Sequence, residues 1–318
     1  MVPQELISFL SQFSFQPVVE NAERLRPGRF ITVGGMGGSA LAAGLLNIIK
    51  PDLALFTHRD YGLPLLPESL LSEALFVASS CSGNTEETLD FARAVESRGL
   101  PLGVVAGGGE LLSFALEHRL PLVKIPQGDL PPRMKTGHMA IALAALVNAK
   151  HLLADFEKLS HTLNAGSTHE EGRALAQSFV QKIPLVYAST VNFPLAYYWK
   201  IAFNETAKIP AFCGSFPEMN HNEIEGFDGR RPSFPSRAIF LHDEQDHPRI
   251  LKRMQITEEL YRKQNIETAH LSLQGTPVQK IFTSVYLAIA TSLALAGAYG
   301  NDPIRTSLID SLKERMKN

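Results

Sequence analysis

The stretch Phe30-Ile31-Thr32-Val33-Gly34-Gly35-Met36-Gly37-Gly38-Ser39 runs an apolar, β-branched segment into a glycine-rich turn, and an Ala/Leu-rich helical pattern follows. An apolar strand, a tight turn and a helix form the repeating unit of a parallel sheet covered by helices on both faces. The same order recurs at Leu53–Thr57, Ala74–Ser79, Leu102–Ala106 and Leu122–Ile125, and a long helix from Thr136 to His151 closes the first half. A weaker repeat follows: strand Ile183–Ala188 with helical run Phe193–Phe203, then strand Ala238–His242 with the helix Pro248–Asn265. The sequence therefore predicts an α/β protein of two similar lobes, each a parallel sheet sandwiched by helices.

The length of 318 residues fits two domains, at roughly 100–200 residues each. The polar stretch Asn164–Gly172 is the boundary expected, giving lobes 1–163 and 164–318. Residues 1–15 read as an amphipathic helix through Leu6, Phe9, Leu10 and Phe13, with no export signal visible. The uncharged run Ile281–Asn301 is long enough for a bilayer core of about 30 Å. Thr283, Ser284, Thr291 and Ser292 interrupt it, and a buried core helix is the reading adopted. A last helix is expected from Asp302-Pro303, Asp as N-cap and Pro at the first helical position.

Lys and Arg number 30 against 32 Asp and Glu, so there is no bulk field to hold a polyanion and no nucleic-acid partner is expected. The only cysteines, Cys81 and Cys213, provide neither a disulfide framework nor a zinc knuckle. A reducing, cytoplasmic setting without a membrane is the expectation.

Gly34–Ser39 lies at a strand-to-helix turn, where backbone N–H groups and the helix dipole favour an anion. Gly35, Gly37 and Ala40 also match the dinucleotide fingerprint, with Asp60 ending the next strand. A second turn separates the two readings. Ser80-Cys81-Ser82-Gly83-Asn84-Thr85-Glu86-Glu87-Thr88 brings the hydroxyls of Ser80, Ser82 and Thr85 to another helix start. With exposed N–H groups they would cradle one terminal phosphate, a feature that a dinucleotide site does not need.

The run Ser80–Thr88 resembles the phosphosugar-binding loop of the sugar isomerase (SIS) domain. Together with Gly34–Ser39, Asn204-Glu205-x-x-Lys208-Ile209-Pro210, Asn220-His221-Asn222-Glu223 and the Asp302-Pro303 helix with Thr306 and Lys313, the chain resembles the bifunctional phosphoglucose/phosphomannose isomerase family over nearly its full length. The resemblance implies two SIS-like lobes. It also implies reversible conversion of glucose 6-phosphate and mannose 6-phosphate to fructose 6-phosphate through a cis-enediolate, without metal or other cofactor.

That chemistry needs a group titrating near neutrality to open the sugar ring and a carboxylate to move a proton between C1 and C2. By resemblance Glu205 is the base, and His221 opens the ring, reaching the site from the partner subunit of a homodimer. By themselves they read as a helix-terminal charge and a surface histidine. Gly37, Gly38, Ser39, Ser80, Ser82 and Thr85 would bind substrate. Thr306 would admit both C2 epimers, and Lys313, seven residues on and on the same face, would assist ring opening. That face points away from the core stripe expected at Ile304, Leu308 and Leu312. Arg133 matches the family arginine that offsets enediolate charge; otherwise it is a loop cation.

Two departures stand out. Cys81 replaces the family's usual tyrosine and reads either as an oxidisable thiol at a helix start or as an inert buried one. Met134-Lys135-Thr136-Gly137-His138 differs from the small, apolar sequence expected after the arginine. His242-Asp243-Glu244-Gln245-Asp246-His247 is the one dense ligand-like cluster and reads as a solvated turn rather than a metal site. Two other classes fit part of the pattern: a non-catalytic phosphosugar-sensing protein, and a nicotinamide-dependent dehydrogenase built on the first glycine loop.

Overall fold

The computed structural model describes residues 1–149, 151–228 and 235–316. It forms two sheet-plus-helix lobes of the tandem SIS kind. One compact unit holds Met1–Ala165 with Gly275–Thr283, and the other holds Gly166–Gln274 with the chain from Ser284 onward.

In the first unit the strands are β1 (Val19–Glu20), β2 (Phe30–Gly34), β3 (Leu55–His58), β4 (Ala74–Ser80), β5 (Leu102–Ala106) and β6 (Leu122–Lys124), in the spatial order β1-β6-β5-β4-β2-β3. All neighbours are parallel except β1, which pairs antiparallel with β6 through Val19↔Val123 and closes that edge. The sheet thus departs from the fully parallel one expected, because the short β1 adds a reversed edge. The chain runs from β2 outward to β3, then returns to place β4 on the other side of β2, in register from Phe30↔Ala74 to Gly34↔Ala78. The crevice at such a reversal, at the carboxyl ends of the strands, is where open α/β sheets bind ligands. Both loops singled out above leave from it.

The helices of this unit are α1 (Gln4–Ser11), α2 (Gly37–Ile49), α3 (Glu68–Leu71), α4 (Glu86–Ser97), α5 (Gly109–Glu117), α6 (Thr136–Leu146) and α7 (His151–Thr162). Phe76, Phe91, Val95, Val104, Leu111 and Leu122 form one buried layer beside the sheet. The single helix expected over Thr136–His151 is two. Asn148 takes a left-handed conformation at φ 59°, and Ala149 N–H closes back on Ala144 O at 2.8 Å, ending α6. α1 is shorter than its amphipathic pattern, with Phe13 carried on a following turn, Gln12–Ser14.

The second unit contains α8 (Ala165–Gln177), β7 (Ile183–Ser189), α9 (Phe193–Ala202), β8 (Phe212–Phe216), β9 (Ser236–Asp243), α10 (Pro248–Lys263), β10 (Glu267–Leu273), α11 (Pro277–Tyr299), which begins in the first unit, and α12 (Ser307–Met316). Its sheet is parallel throughout, in the order β10-β9-β7-β8. The polar stretch 164–172 is mostly helical, as part of α8. Gly172 explains the fit: a Cβ there would stand 2.6 Å from that of Ala290 on α11. α11 is the one described helix long and apolar enough to cross a membrane, and 78% of its apolar window is buried inside the protein.

The terminal helix corrects two expectations. Asp302 accepts from the N–H groups of Ile304 (2.8 Å) and Arg305 (3.2 Å), so it caps a turn. α12 begins only at Ser307, with the carbonyl of Thr306 accepting the first helical bond from Asp310 N–H at 2.9 Å. Leu308 and Leu312 are exposed, at 89% and 60%, and form no core stripe.

Candidate active site

Ser80 ends β4, and its side chain organises the loop beyond it. Ser80 Oγ accepts the Gly83 N–H at 3.0 Å and shares a 3.0 Å hydrogen bond with Thr85 Oγ1. Ser82 Oγ accepts from Asn84 N–H (3.3 Å), and Ser39 Oγ, on the neighbouring loop, accepts from Cys81 N–H (3.2 Å). Three amides expected to face a ligand are therefore spent inside the loop. A hydroxyl that accepts such a bond keeps its own proton. Ser39, Ser82 and one member of the Ser80/Thr85 pair can thus each donate outward, which suits the oxygens of a terminal phosphate.

Close backbone contacts hold this arrangement. Gly83 sits at φ 74°, and a Cβ there would lie 1.7 Å from Gly108 O. The carbonyl of Gly83 accepts Leu111 N–H (2.9 Å), while Asn84 Oδ1 accepts Glu110 N–H (2.9 Å). The turn Gly107–Gly109 after β5 is thus a buttress of the loop, and sequence reasoning passed over it although its three successive glycines were a visible signal. Gly37 is left-handed at φ 48° with open space around it. At Gly38, by contrast, a Cβ would stand 2.7 Å from Pro132 O and 3.1 Å from Arg133 Cα. The turn bearing Arg133, a residue only 5% exposed, therefore packs directly on the first glycine loop.

Other sequence candidates in this unit fare differently. Cys81 is buried, and burial pushes its thiol pKa up against the opposing pull of Lys135, so the inert reading fits and the activated one does not. Asp60 lies beyond the end of β3, in an exposed turn where its carboxylate accepts Tyr61 N–H at 2.8 Å.

Glu205, His221, Thr306 and Lys313 belong to the second unit. α9 does not simply end at Phe203; it widens into a π-helical turn, Phe203–Ala207, which carries a half-buried Glu205. Such turns recur at functional sites. Lys208, left-handed at φ 63°, folds its ammonium back to donate to the Glu205 carbonyl. Asn204 Nδ2 donates to Ile209 O (2.9 Å), and Asn301 Nδ2 to Ala207 O (3.0 Å), which ties the start of the C-terminal segment to this turn. Thr306 is half-buried and Lys313 exposed.

His221 is exposed, but its turn is anchored on both sides. Asn220 donates to Thr257 Oγ1 (2.8 Å) and accepts from Arg253 (3.4 Å), both on α10. Glu223 accepts from the fully buried Tyr187 hydroxyl at 2.5 Å, and Tyr261 donates to that hydroxyl at 3.3 Å. Burial raises both phenol pKa values, so both remain donors. Tyr187 and Tyr261 were not foreseen, since in sequence they are core aromatics like any other.

Among the described residues no group of three or more His, Cys, Asp or Glu side chains is placed to hold a metal ion. The 242–247 cluster does other work. Asp243 and Asp246 are buried rather than solvated and accept from Asn192 Nδ2 at 3.2 and 3.4 Å. His247 caps α10 by accepting Arg249 N–H (3.1 Å), and His242 packs on His270, with ring centroids 4.6 Å apart.

Paired SIS-like lobes with a hydroxyl-lined loop at the sheet reversal define the class. A family model described as the bacterial phospho-glucose isomerase C-terminal SIS domain matches residues 168–316. The bifunctional phosphoglucose/phosphomannose isomerase of Thermoplasma acidophilum is 31% identical over 299 residues, covering 92% of this chain and 91% of that one. The enzyme of the same name from Caldicellulosiruptor bescii is 30% identical over 306 residues, covering 90% and 89%. Among solved structures, a hypothetical protein from Thermus thermophilus superposes with a TM-score of 0.68 at 16% identity, covering 98% of this chain and 86% of that one. The chain belongs to the SIS-domain phosphosugar-isomerase family and is related to the bifunctional phosphoglucose/phosphomannose isomerases.

Proposed function

We propose that this protein interconverts glucose 6-phosphate and mannose 6-phosphate with fructose 6-phosphate through a cis-enediolate, as a cytoplasmic homodimer and with protein groups alone. Ser39, Ser80, Ser82 and Thr85 bind the phosphate beside Gly37 and Gly38. His221 and Lys313 assist ring opening, Glu205 carries the proton between C1 and C2, Arg133 offsets the enediolate charge, and Thr306 admits both epimers. A carboxylate base and a fixed guanidinium are what an enediolate route requires.

The observation that carries the reading is the hydroxyl loop: its side chains accept the loop's own amides and so keep their protons for an outside anion. The π-helical turn under Glu205 and the exposure of His221, which suits a residue serving a partner's site, add support. The test is a coupled assay with both hexose 6-phosphates in the presence of chelator, together with solvent deuterium incorporation at C2. Glu205→Gln is expected to abolish the exchange while leaving binding of a sugar-phosphate inhibitor nearly intact. Unchanged turnover in that variant refutes the role.

A further inference from the structure

Lys135 occupies a place that disfavours a cation unless an anion comes to meet it. It directly precedes α6, a helix of 11 residues, and so lies at the positive end of the helix dipole. It is only 6% exposed, and its ammonium makes no hydrogen bond or ion pair among the described residues. Beside it the hydroxyl of Thr136 is fully buried and has no hydrogen-bond partner. A lysine stem this buried, with no partner among the described residues for the ammonium that reaches out at its tip, is placed to meet a counter-charge from outside.

Its surroundings say where that charge would arrive. Gln12, itself fully buried, grips the segment from both ends: its Nε2 donates to Met134 O (2.8 Å) and its Oε1 accepts His138 N–H (3.0 Å). The preceding turn is pressed against Gly38 of the first loop. The ammonium acts electrostatically on Cys81, which lies between Ser80 and Ser82 and whose N–H bonds Ser39 Oγ. The backbone that carries Lys135 is thus fixed beside the first loop, with the ammonium within electrostatic reach of the hydroxyl loop. A compact point charge of this kind suits a phosphate dianion.

We propose that Lys135 is a further binding residue of this site, the cation that meets the substrate's terminal phosphate at the Ser80–Thr85 loop. The hydroxyls then do not neutralise the dianion alone. The inference rests on the phosphosugar reading above and deepens it.

The test is calorimetric titration of the full-length protein with glucitol 6-phosphate, which has no carbonyl and cannot isomerise, and with unphosphorylated glucitol. Lys135→Met is expected to weaken glucitol 6-phosphate about tenfold or more and to leave glucitol unchanged. Lys135→Arg, which keeps the charge, is expected to bind within a few-fold of the parent. Removing an uncompensated charge should leave the melting temperature equal or higher, whereas a purely structural lysine would lower it. Ser82→Ala separates the two layers of argument. If it weakens the sugar phosphate while Lys135→Met binds like the parent, the lysine proposal is overturned and the hydroxyl loop stands. If neither variant weakens binding, the phosphate reading falls, and the lysine proposal with it. Should Lys135→Met fail to fold, Lys135→Gln is read by the same criteria.

Discussion

Gly83→Ala tests the architecture of the phosphate loop most directly. Two costs can be read from the structure. An alanine held in the left-handed region costs about 1–2 kcal/mol. Its Cβ would also lie 1.7 Å from Gly108 O, a backbone atom that cannot swing away, so the loop or the turn behind it must move. That movement breaks the bonds from Gly83 N–H to Ser80 Oγ and from Leu111 N–H to Gly83 O. Each is worth about 0.5–1.5 kcal/mol net, for a total of about 2–5 kcal/mol. At about 2–4 °C per kcal/mol, calorimetric melting of the first unit falls by roughly 4–20 °C. Inorganic phosphate binding weakens as well, because Ser80 and Thr85 lose their alignment. Gly37→Ala is the control: it is left-handed too, but nothing lies within 4 Å of its added Cβ. It should lose only the torsional part, about 1–2 kcal/mol. Equal melting of the two variants, or parental phosphate binding by Gly83→Ala, would refute the reasoning.

Tyr187→Phe removes the hydroxyl that donates to Glu223. It is expected to cost about 1.5–3 kcal/mol, read as a lower urea midpoint, and an unshifted midpoint counts against the anchoring of the His221 turn. Burial, helped by the Lys135 ammonium, holds the His138 imidazole at a pKa of about 4, below its ordinary 6.5. Between those values the unfolded chain binds a proton that the folded chain refuses. Stability is therefore full above pH 6.5 and declines as pH falls toward 4. Comparing urea midpoints at pH 7 and 5 should show that His138→Gln flattens this decline; an identical slope in both proteins rejects the assignment.

Much of the fold is legible locally. Strands β2, β4, β5 and β7 announce themselves as apolar runs closed by glycines or hydroxyls, and the loops that follow them carry their own chemistry. The misses depend on a conformation or a partner that the local pattern does not carry. The break between α6 and α7 turns on one asparagine adopting a left-handed conformation, which the Ala/Leu pattern around it does not reveal. Strand β8, with the sequence Phe-Cys-Gly-Ser-Phe, pairs only because β7 offers it an edge. In the site, Glu205 can be singled out from its motif, but the π-helical turn beneath it cannot.

Sequence alone determined the units of structure and the chemistry at their ends, because strand periodicity, glycine turns and hydroxyls beside a helix start act over a few residues. Tertiary structure decided which units became neighbours. The β2–β4 register sets the two loops side by side, Gly108 fills the space that a side chain at Gly83 would need, and Gln12 bonds to a backbone N–H 126 residues away. Such contacts leave no local trace, since steric fit and charge burial depend on what the rest of the chain brings to the same place. The hydroxyls of the loop could be read one by one, but the lysine pinned beside them emerged only from packing.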